Sequence, residues 1–503
     1  MLASIVSAAI SGIDAYRVTV EVDVAPGLPQ WTVVGLAAGA VKESRERVMA
    51  ALANSGFALP SRRVTVNLAP ADVRKEGTAF DLPIALGLLV ATGQVDASRV
   101  ARVGAVGELA LDGSIRPVRG VLSIARTFAA VEGETLLVPE ANVAEARLVH
   151  GLALGAPASL RDAVGQLERG AFTIPPVLPC VRTRPASSGP DLAEVIGQAP
   201  ARRALEIAAA GDHGVVLVGP PGSGKTLLAR CMPRLLPSLT EAEALEVIAV
   251  HSVAGLVAPE RIASPERPFR APHHTISSAG LVGGGNGPRA GEVSLAHRGV
   301  LFLDEMLEFP RHTLDAMRQP LEDGYVVIVR AAGSVRFPAQ FTLIGAMNPC
   351  PCGYAGDASG RCVCSAADVV RYRARLSGPM ADRIDLHVAV AAVPVRSLGA
   401  RWAAESSADV RERVERARGA QRARYAGLSS VLCNGRVAGR WLDRETPIEP
   451  AARELLASAA ERLGLSARSY HRVLRVARTI ADLDGEDLVR APAVAEALRY
   501  RAT

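Results

Sequence analysis

Aromatic side chains are scarce in this sequence: Phe, Trp and Tyr together make up 4% of its 503 residues. Such scarcity argues against the broad aromatic platforms on which single-stranded nucleic acids stack. Long apolar runs are missing as well, since none approaches the roughly 18 residues that a membrane-spanning helix needs. The opening stretch MLASIVSAAISGIDAYRV has no basic segment ahead of its apolar residues, so it predicts a first strand rather than a signal peptide. We therefore expect a cytoplasmic protein that has no membrane partner.

Cysteine is also sparse, and its seven positions are unevenly spread. Three of them, Cys180, Cys231 and Cys433, stand alone. The other four form two CxC pairs and are called the cysteine cluster below: Cys350, Cys352, Cys362 and Cys364. This usage is typical of a cytosolic protein with one candidate metal site, and it argues against a secreted disulfide framework.

Excess charge is small, at +6 with a pI of about 9.1. This balance permits a nucleic-acid partner without requiring one. With so few aromatic residues, any such contact is expected to join Arg to phosphate, so binding would be salt-sensitive and independent of base sequence.

The length predicts more than one domain, and the sequence pattern divides into four parts. Short β-rich runs alternate with helical runs over residues 1–172, which predicts a mixed α/β domain. A segment rich in Pro and Ser at 173–190 predicts a linker. Continuous apolar strand runs within 191–395 predict a parallel sheet covered on both faces. Residues 396–503 read as helices only.

A glycine-rich loop, GPPGSGKT at residues 219–226, follows the strand run GVVLVG and opens the helical run TLLARCM. Glycines let backbone N–H groups surround a phosphate, Lys225 offsets its charge, and Thr226 offers a hydroxyl to Mg²⁺. The predicted nucleotide-binding set is Gly219, Pro220, Pro221, Gly222, Ser223, Gly224, Lys225, Thr226 and Leu227. We call residues 219–226 the Walker A loop.

A second motif, GVLFLDE, consists of a short apolar strand that ends in two carboxylates. This arrangement predicts that Asp304 holds Mg²⁺ and that Glu305 acts on the attacking water. Together with the Walker A loop it predicts an enzyme that hydrolyses a nucleoside triphosphate with Mg²⁺.

Several further motifs resemble those of the ComM/YifB family of magnesium-chelatase-like AAA+ ATPases. They are ESRERV, RKEGTAFDLPIAL, PFRAPHHT, GEVSLAHRGVLFLDE, MNPCPCG, SGPMADRIDLHV and SYHRVLRVARTIADL, and they are distributed over essentially the whole chain. The resemblance implies an AAA+ ATPase core, a C-terminal helical lid, and a homo-oligomeric ring, expected to be a hexamer. It also implies that the ring moves DNA and promotes branch migration in recombination or natural transformation. A metallochelatase motor subunit and a protein-remodelling ATPase remain alternatives.

The same resemblance assigns roles to three more residues. Asn348, at the tip of the strand run FTLIGAMN, is expected to sense the γ-phosphate. Arg383 resembles a finger that completes a neighbouring subunit's site, although an ordinary ion pair with Asp382 or Asp385 remains open. Arg468 is the candidate cis arginine of the lid, and Arg472 and Arg475 are the alternatives.

Candidate DNA contacts lie in two glycine-rich or hairpin segments of the predicted core. They are Arg270, Arg289, Arg330 and Arg336. In the N-terminal domain the candidates are Arg45, Arg47, Arg74 and Lys75. For both sets, an ordinary solvated surface is the alternative interpretation.

The N-terminal domain resembles the proteolytic domain of Lon, which has a ribosomal-protein-S5-like fold. Lon chemistry needs a Ser nucleophile and a Lys base. Ala79 stands in the segment that matches the nucleophile, and Leu122 stands where the lysine is expected. We therefore predict no peptidase activity.

The role of the cysteine cluster stays open at the level of sequence. Four thiolates suit a structural Zn²⁺ site. Zinc sites favour CxxC spacing, however, and in an extended strand a CxC pair points its thiols to opposite sides. Reduced unligated thiols and redox control are the alternatives.

Overall fold

The computed structural model describes residues 1–36, 38–73, 75–175, 189–258, 261–262, 264–285, 287–330, 333–356, 360–392, 405–428 and 433–501. It separates into two compact units. Unit 1 comprises Met1–Arg184, Glu241–Pro265 and Val327–Phe337, and unit 2 comprises Pro185–Thr240, Glu266–Val326 and Pro338–Thr503. Most of the predicted linker, residues 176–188, lies outside the described residues, as does Arg74. The bounds of the four predicted parts stay predictions.

In the N-terminal part of the chain the described residues form nine strands and six α-helices. The strands are β1 (Leu2–Ser11), β2 (Asp14–Ala25), β3 (Gln30–Val34), β4 (Arg63–Ala69), β5 (Val103–Ala105), β6 (Glu108–Leu109), β7 (Ile115–Arg116), β8 (Thr135–Leu137) and β9 (Ala153–Gly155). The helices are α1 (Gly39–Lys42), α2 (Ser44–Asn54), α3 (Asp81–Ala91), α4 (Val121–Ala129), α5 (Val143–Ala146) and α6 (Leu160–Arg169).

Unit 1 is organised on a seven-stranded mixed sheet of order β3-β4-β2-β1-β5-β8-β9. β1 and β2 form a long antiparallel hairpin from Leu2↔Asp23 to Ser11↔Asp14, whereas β5, β8 and β9 run parallel. Every second residue of β2 from Val18 to Val24 is buried, as the alternating run VTVEVDV requires for a strand with one face on the core. Helix α3 is buried along its whole length, which accounts for its almost continuous apolar sequence.

The remainder of the chain contains nine strands and fourteen α-helices among the described residues. The strands are β10 (Val215–Val218), β11 (Phe269–Arg270), β12 (Gly283–Gly284), β13 (Arg289–Ala290), β14 (Val300–Leu303), β15 (Tyr325–Arg330), β16 (Gly333–Pro338), β17 (Thr342–Met347) and β18 (Leu386–Ala389). The helices are α7 (Ala199–Gly211), α8 (Lys225–Leu235), α9 (Glu241–Ala254), α10 (Ser278–Val282), α11 (Glu292–Leu295), α12 (Arg311–Ala316), α13 (Arg318–Asp323), α14 (Ala366–Arg373), α15 (Gly378–Ala381), α16 (Ser407–Arg424), α17 (Gly439–Glu445), α18 (Pro450–Leu463), α19 (Ala467–Leu483) and α20 (Ala491–Arg499).

Unit 2 contains a five-stranded sheet of order β11-β14-β17-β10-β18, in which every pairing is parallel. All four residues of β14 and the first five of β17 are buried, because both faces of the sheet are covered. The α/β class, the parallel sheet and the helical C-terminal region predicted from the sequence are confirmed. The Lon-like fold of the N-terminal domain stays a prediction.

The hairpin predicted around residues 325–338 is present as the two-stranded pair β15 and β16. The turn is predicted at Ala331–Ser334, and the first two of these residues, 331–332, lie outside the described residues. Among the described residues, no helix combines the length and the apolar character needed to cross a membrane.

Candidate active site

The Walker A loop connects the carboxyl end of β10 to the start of α8. Gly222 and Gly224 have φ angles of 75° and 90°, in the left-handed region that side chains with a Cβ rarely adopt. This backbone turns sharply into α8, whose first N–H groups have no acceptor within the helix. The Ser223 hydroxyl is buried and has no hydrogen-bond partner in the described structure. The loop therefore offers unused donors at a helix N-terminus, which is what an anionic phosphate requires.

Lys225 extends back over the same loop. Its Nζ donates to the carbonyl oxygens of Gly219 at 2.7 Å and Pro220 at 2.9 Å, and lies 3.4 Å from Oδ1 of Asn348. Burial lowers the pKa of this ammonium, and the nearby carboxylates of Asp304 and Glu305 only partly offset the effect. The cation is thus held at the loop by weak carbonyl partners that an incoming phosphate would outcompete.

Thr226 and Asp304 are brought together from positions 78 residues apart. The Thr226 hydroxyl donates to Oδ2 of Asp304 at 2.9 Å. Asp304 follows directly after β14, and Thr226 lies in the first turn of α8. A hydroxyl and a carboxylate at this separation match the protein ligands that Mg²⁺ takes beside a nucleotide.

Glu305 has an unusual backbone for a residue with a side chain, with φ 49° and ψ 46°. Its side chain is 58% exposed, while its backbone N–H donates to Asp304 at 3.0 Å. Strain of this kind is found where a side chain must be aimed at a reacting group. The geometry leaves the carboxylate available to a water molecule.

His274 was not selected by sequence reasoning, which found no catalytic spacing around it. In the structure its Nδ1 lies 3.6 Å from Oε2 of Glu305. Its ring also lies 4.1 Å from that of His273, centroid to centroid, and meets the Phe309 ring edge-on at 6.4 Å. The Nδ1 of His273 instead contacts the Thr275 hydroxyl at 2.9 Å. No local spacing in the sequence indicates the His274–Glu305 pair, because the two residues are 31 positions apart, with α10, β12, β13, α11 and β14 between them.

Asn348 follows β17, the strand that lies between β14 and β10 in the sheet. Its amide is therefore flanked by the Walker A loop on one side and by Asp304 and Glu305 on the other. Leu227, the last residue of the predicted nucleotide set, packs against the core of unit 2. The structure thus brings the sequence-predicted Lys225, Thr226, Asp304 and Asn348 to one edge of the sheet.

Arg383 lies between α15 and β18, and its side chain is only 9% exposed. Its Nη2 is 2.5 Å from Oε1 of Glu322, and a second nitrogen donates to the carbonyl of Pro379. The ion pair considered from the sequence, with Asp382 or Asp385, is thus replaced by one with Glu322. The hydrogen bond from Arg383 lowers the pKa of the Glu322 carboxyl.

Arg468, at the start of α19, contacts the same carboxylate: its Nη2 lies 3.0 Å from Oε1 of Glu322. Two other arginines of this helix were considered as the lid arginine. Arg472 is buried and donates to the carbonyl oxygens of Ala381 and Ile384 at 3.2 and 3.0 Å. Arg475 donates to the carbonyl of Gly435 at 3.2 Å. Arg468, with 54% of its side chain exposed, is the most accessible of the three.

The four arginines predicted to contact DNA differ in environment. Arg270 forms a two-pronged ion pair with Glu292 at 2.6 and 2.8 Å and is half-buried. Arg289, Arg330 and Arg336 are exposed, on β13, β15 and β16 respectively. These three meet the minimal requirement for phosphate contact, which is exposure, whereas Arg270 is half-buried in its ion pair with Glu292.

Of the candidate DNA contacts in the N-terminal domain, two are buried or held in an ion pair. Lys75 is wrong as an exposed contact, since it is fully buried and its Nζ makes no hydrogen bond within the described structure. Burial lowers the pKa of this lysine. Arg47 pairs with the buried carboxylate of Asp81 at 2.6 Å, whereas Arg45 is largely exposed and Arg74 lies outside the described residues. A charged run in the sequence does not reveal which of its members folds inward.

The four thiols of the cysteine cluster converge, with every pair of sulfur atoms within 4.8 Å. Cys350 is buried and the other three are partly exposed. Hydrogen bonds from the backbone N–H groups of Tyr354 and Val363 lower the pKa of the Cys352 thiol to about 6. The cluster can supply four soft donor atoms to one metal ion.

Comparison with protein-family models matches three stretches of the chain to the magnesium-chelatase subunit ChlI. The model described as magnesium chelatase, subunit ChlI, matches residues 191–398. Models for subunit ChlI of Mg-chelatase and for its C-terminal region match residues 20–142 and 404–501.

Two of the relatives described here match this chain over nearly its full length, and a third matches part of it. The competence protein ComM of Haemophilus influenzae (strain ATCC 51907 / DSM 11121 / KW20 / Rd) is 44% identical over 510 residues, covering 100% of this chain and 97% of its own. The protein YifB of Escherichia coli (strain K12) is 42% identical over 499 residues, covering 98% and 95%. The magnesium-chelatase 38 kDa subunit of Acidiphilium rubrum is 29% identical over 177 residues, covering 31% and 51%. These matches confirm the resemblance drawn from the motifs.

Proposed function

Because this chain belongs to the magnesium-chelatase-like family that includes the ComM and YifB proteins, we propose that it is an ATP-driven DNA motor. It hydrolyses ATP as a homo-oligomeric ring, a hexamer, and promotes branch migration during recombination or natural transformation. The observation that carries the ATPase part is the Thr226–Asp304 contact at 2.9 Å, with Lys225 reaching toward Asn348 in the same place.

The residues present fit ATP and Mg²⁺. The unused N–H groups at the start of α8 and the Lys225 ammonium would hold the phosphates, while Thr226 and Asp304 would hold the metal. Bound Mg²⁺ supplies charge neutralisation to the transferred phosphoryl group. Glu305 orients and deprotonates the attacking water, and Asn348 contacts the γ-phosphate between the two motifs.

The ring is proposed because Arg383 resembles the finger arginine that completes a neighbouring subunit's nucleotide site. Its loop position after α15 and its link to Glu322 keep the guanidinium at a defined place. In a ring, this arginine would enter the neighbouring site and stabilise the charge of the transition state. Arg468 would serve the nucleotide of its own subunit from the helical lid.

The DNA partner is proposed from the full-length relatives and from surface charge. The name of the Haemophilus influenzae relative refers to competence, which depends on incoming DNA. Exposed Arg289, Arg330 and Arg336 supply cations for phosphate contact. A metallochelatase motor is less well supported, since the Acidiphilium rubrum chelatase subunit matches only 31% of this chain.

Unit 1 is proposed to be a Lon-like scaffold that has lost peptidase chemistry. Ala79 has no nucleophile, and Leu122 is buried with its backbone N–H donating to Glu145 at 2.7 Å. Residues 1–172 would form this domain, 191–395 the ATPase core and 396–503 the lid, with 173–190 as the linker.

The decisive experiment is branch migration on a synthetic four-way junction, with and without ATP. We expect ATP-dependent strand displacement and DNA-stimulated ATP hydrolysis, both falling steeply as salt rises. Lys225→Ala should abolish both activities by weakening nucleotide binding. Absence of displacement and of DNA stimulation, in a preparation that hydrolyses ATP, would refute the DNA motor and leave the ATPase assignment intact.

A further inference from the structure

The cysteine cluster has the spacing of a filled metal site. The sulfur of Cys350 lies 3.3 Å from that of Cys352 and 3.8 Å from that of Cys362, and Cys352 and Cys362 are 3.7 Å apart. Four thiolates placed tetrahedrally at the zinc–sulfur distance of about 2.3 Å are separated by about 3.8 Å. The described thiols are free rather than joined in disulfides.

A local turn explains how the two thiols of a CxC pair can face one metal ion, although in an extended strand they would point to opposite sides. Residues 350–353 do not continue the strand: the backbone N–H of Gly353 donates to the carbonyl of Cys350 at 3.0 Å, which closes a tight turn. Gly353 has a φ angle of 87°, which favours glycine. The turn brings the Cys350 and Cys352 thiols to the same side. The backbone N–H of Ala355 then donates to the Cys350 sulfur at 3.2 Å, as N–H groups do around metal-bound thiolates.

We propose that Cys350, Cys352, Cys362 and Cys364 bind one Zn²⁺ as a tetrathiolate centre, and that this centre holds Asn348 and the Walker A loop in place for ATP hydrolysis. The second half of the proposal rests on the proposed ATPase function. The metal is structural: it takes no part in the reaction, and its four protein ligands leave no open position for water.

The link to the nucleotide site is short and specific. Only Pro349 separates Asn348 from the first ligand, Cys350. A Cβ built on Gly353 would lie 2.7 Å from Cδ of Pro221 in the Walker A loop and 3.9 Å from Cγ of Asn348. The turn of the cluster therefore lies directly against the phosphate loop. A metal ion that holds the four thiols would therefore also hold Gly353 against Pro221, because Gly353 directly follows the ligand Cys352.

Zinc is favoured over other metals by chemistry and by size. Four soft thiolates select Zn²⁺ or iron and exclude Mg²⁺ and Ca²⁺. Four sulfur atoms that all lie within 4.8 Å of one another surround a single ion, since a cluster of several irons and sulfides would hold its ligands farther apart. Among the described residues, no other group of His, Cys, Asp or Glu converges in this way.

The first test is the metal content of the full-length protein purified without chelator. We expect one equivalent of zinc per chain, retained by the control Cys433→Ala, whose cysteine lies in a separate buried position. Cys362→Ser should lose most of the zinc. Zinc content near zero, iron in its place, or full zinc in Cys362→Ser would each overturn the site.

A second measurement uses the unmodified protein, so its result does not depend on whether the Cys362→Ser variant folds. Titration of the unmodified protein with a mercurial reagent, followed with a zinc-binding dye, should release one zinc as four thiols react. Release that does not track thiol modification would overturn the site without any variant.

The positioning role has its own readout. Protein stripped of zinc in this way, with the mercurial then removed by excess thiol, should bind a fluorescent ATP analogue within a few-fold of the untreated protein. Its ATP turnover should fall about tenfold or more and return when Zn²⁺ is added. Unchanged turnover without zinc would refute the positioning role. If neither form hydrolyses ATP, the proposed ATPase function fails, while the metal site is still judged by its zinc content.

Discussion

Arg383 and Arg468 bind the same carboxylate oxygen, Oε1 of Glu322, at 2.5 and 3.0 Å. One arginine precedes β18 of the ATPase sheet, and the other begins α19 of the C-terminal helical region. The two arginines predicted to complete nucleotide sites are therefore anchored by one acidic residue of α13. If a movement of the C-terminal helices took Arg468 away from Glu322, Arg383 would no longer share that carboxylate with a second arginine.

Arg383→Ala is expected to lower ATP turnover by on the order of 10³-fold while leaving ATP affinity within a few-fold. The reason is that the guanidinium stabilises transition-state charge in a neighbouring subunit. Turnover should partly recover when Arg383→Ala subunits are mixed with Glu305→Gln subunits, because some interfaces then combine an intact Glu305 with an intact Arg383. Steady-state ATPase assays over a range of mixing ratios measure this.

The matched control for Arg383 is Arg371→Ala, since Arg371 is 81% exposed and makes only a long ion pair of 3.8 Å within its own helix. This control should hydrolyse ATP normally. Mixtures that stay inactive at every ratio, or a protein that remains monomeric with ATP, ADP and no nucleotide, would contradict an arginine acting between subunits.

Glu305→Gln should reduce ATP turnover about 100-fold or more and keep ATP bound, because an amide cannot accept the proton of the attacking water. Retention of nucleotide is expected since Glu305 makes no contact with the Walker A loop residues Lys225 and Thr226 that hold phosphate and Mg²⁺. Single-turnover hydrolysis and nucleotide content after gel filtration check both parts. Glu461→Gln, a change at an exposed position of α18, is the control. Equal losses of binding and turnover would argue against the assigned role.

Local motifs explain how much of this site the sequence predicted. The Walker A loop is contiguous, and its glycines dictate its backbone, so its residues are recognisable without the fold. The strands β10, β14 and β17 are continuous apolar runs, and parallel strands present their carboxyl ends at one edge. Lys225 and Asp304 could therefore be predicted to meet, and the family resemblance added Asn348 to them.

Side-chain contacts between residues that are far apart in the sequence could not be predicted from local motifs. Glu322 is one acidic residue among 51 Asp and Glu, and nothing in its neighbourhood marks it as the partner of Arg383. Lys75 looked solvated within the charged run RKEG, yet it is buried. The convergence of the CxC thiols depends on the turn at Gly353, which alternation of side chains along a strand could not reveal.

His274→Gln is expected to slow ATP turnover on the order of tenfold with ATP affinity unchanged. The imidazole lies 3.6 Å from the Glu305 carboxylate and, wedged between His273 and Phe309, limits the positions that this exposed side chain can take. His273→Gln is the matched control, because His273 contacts Thr275 instead. Turnover numbers and Michaelis constants of both variants decide the matter: equal effects at the two positions would mean that His274 acts only through the loop fold.

Asp212→Asn should destabilise unit 2 at neutral pH and lose that effect in acid. Burial acts to raise the pKa of Asp212, but Arg436 at 2.7 Å and the Thr342 hydroxyl at 2.5 Å outweigh it, so the folded-state pKa lies well below the ordinary 3.8. Stabilisation by the carboxylate is therefore complete above about pH 4 and declines as pH falls toward the folded-state value. We expect the variant to lose about 2 kcal/mol of unfolding free energy at pH 7 and clearly less at pH 3. Urea denaturation followed by circular dichroism measures the difference, with the exposed Asp487→Asn as control. A loss of equal size at both pH values would show that the side chain stabilises unit 2 by shape rather than by charge.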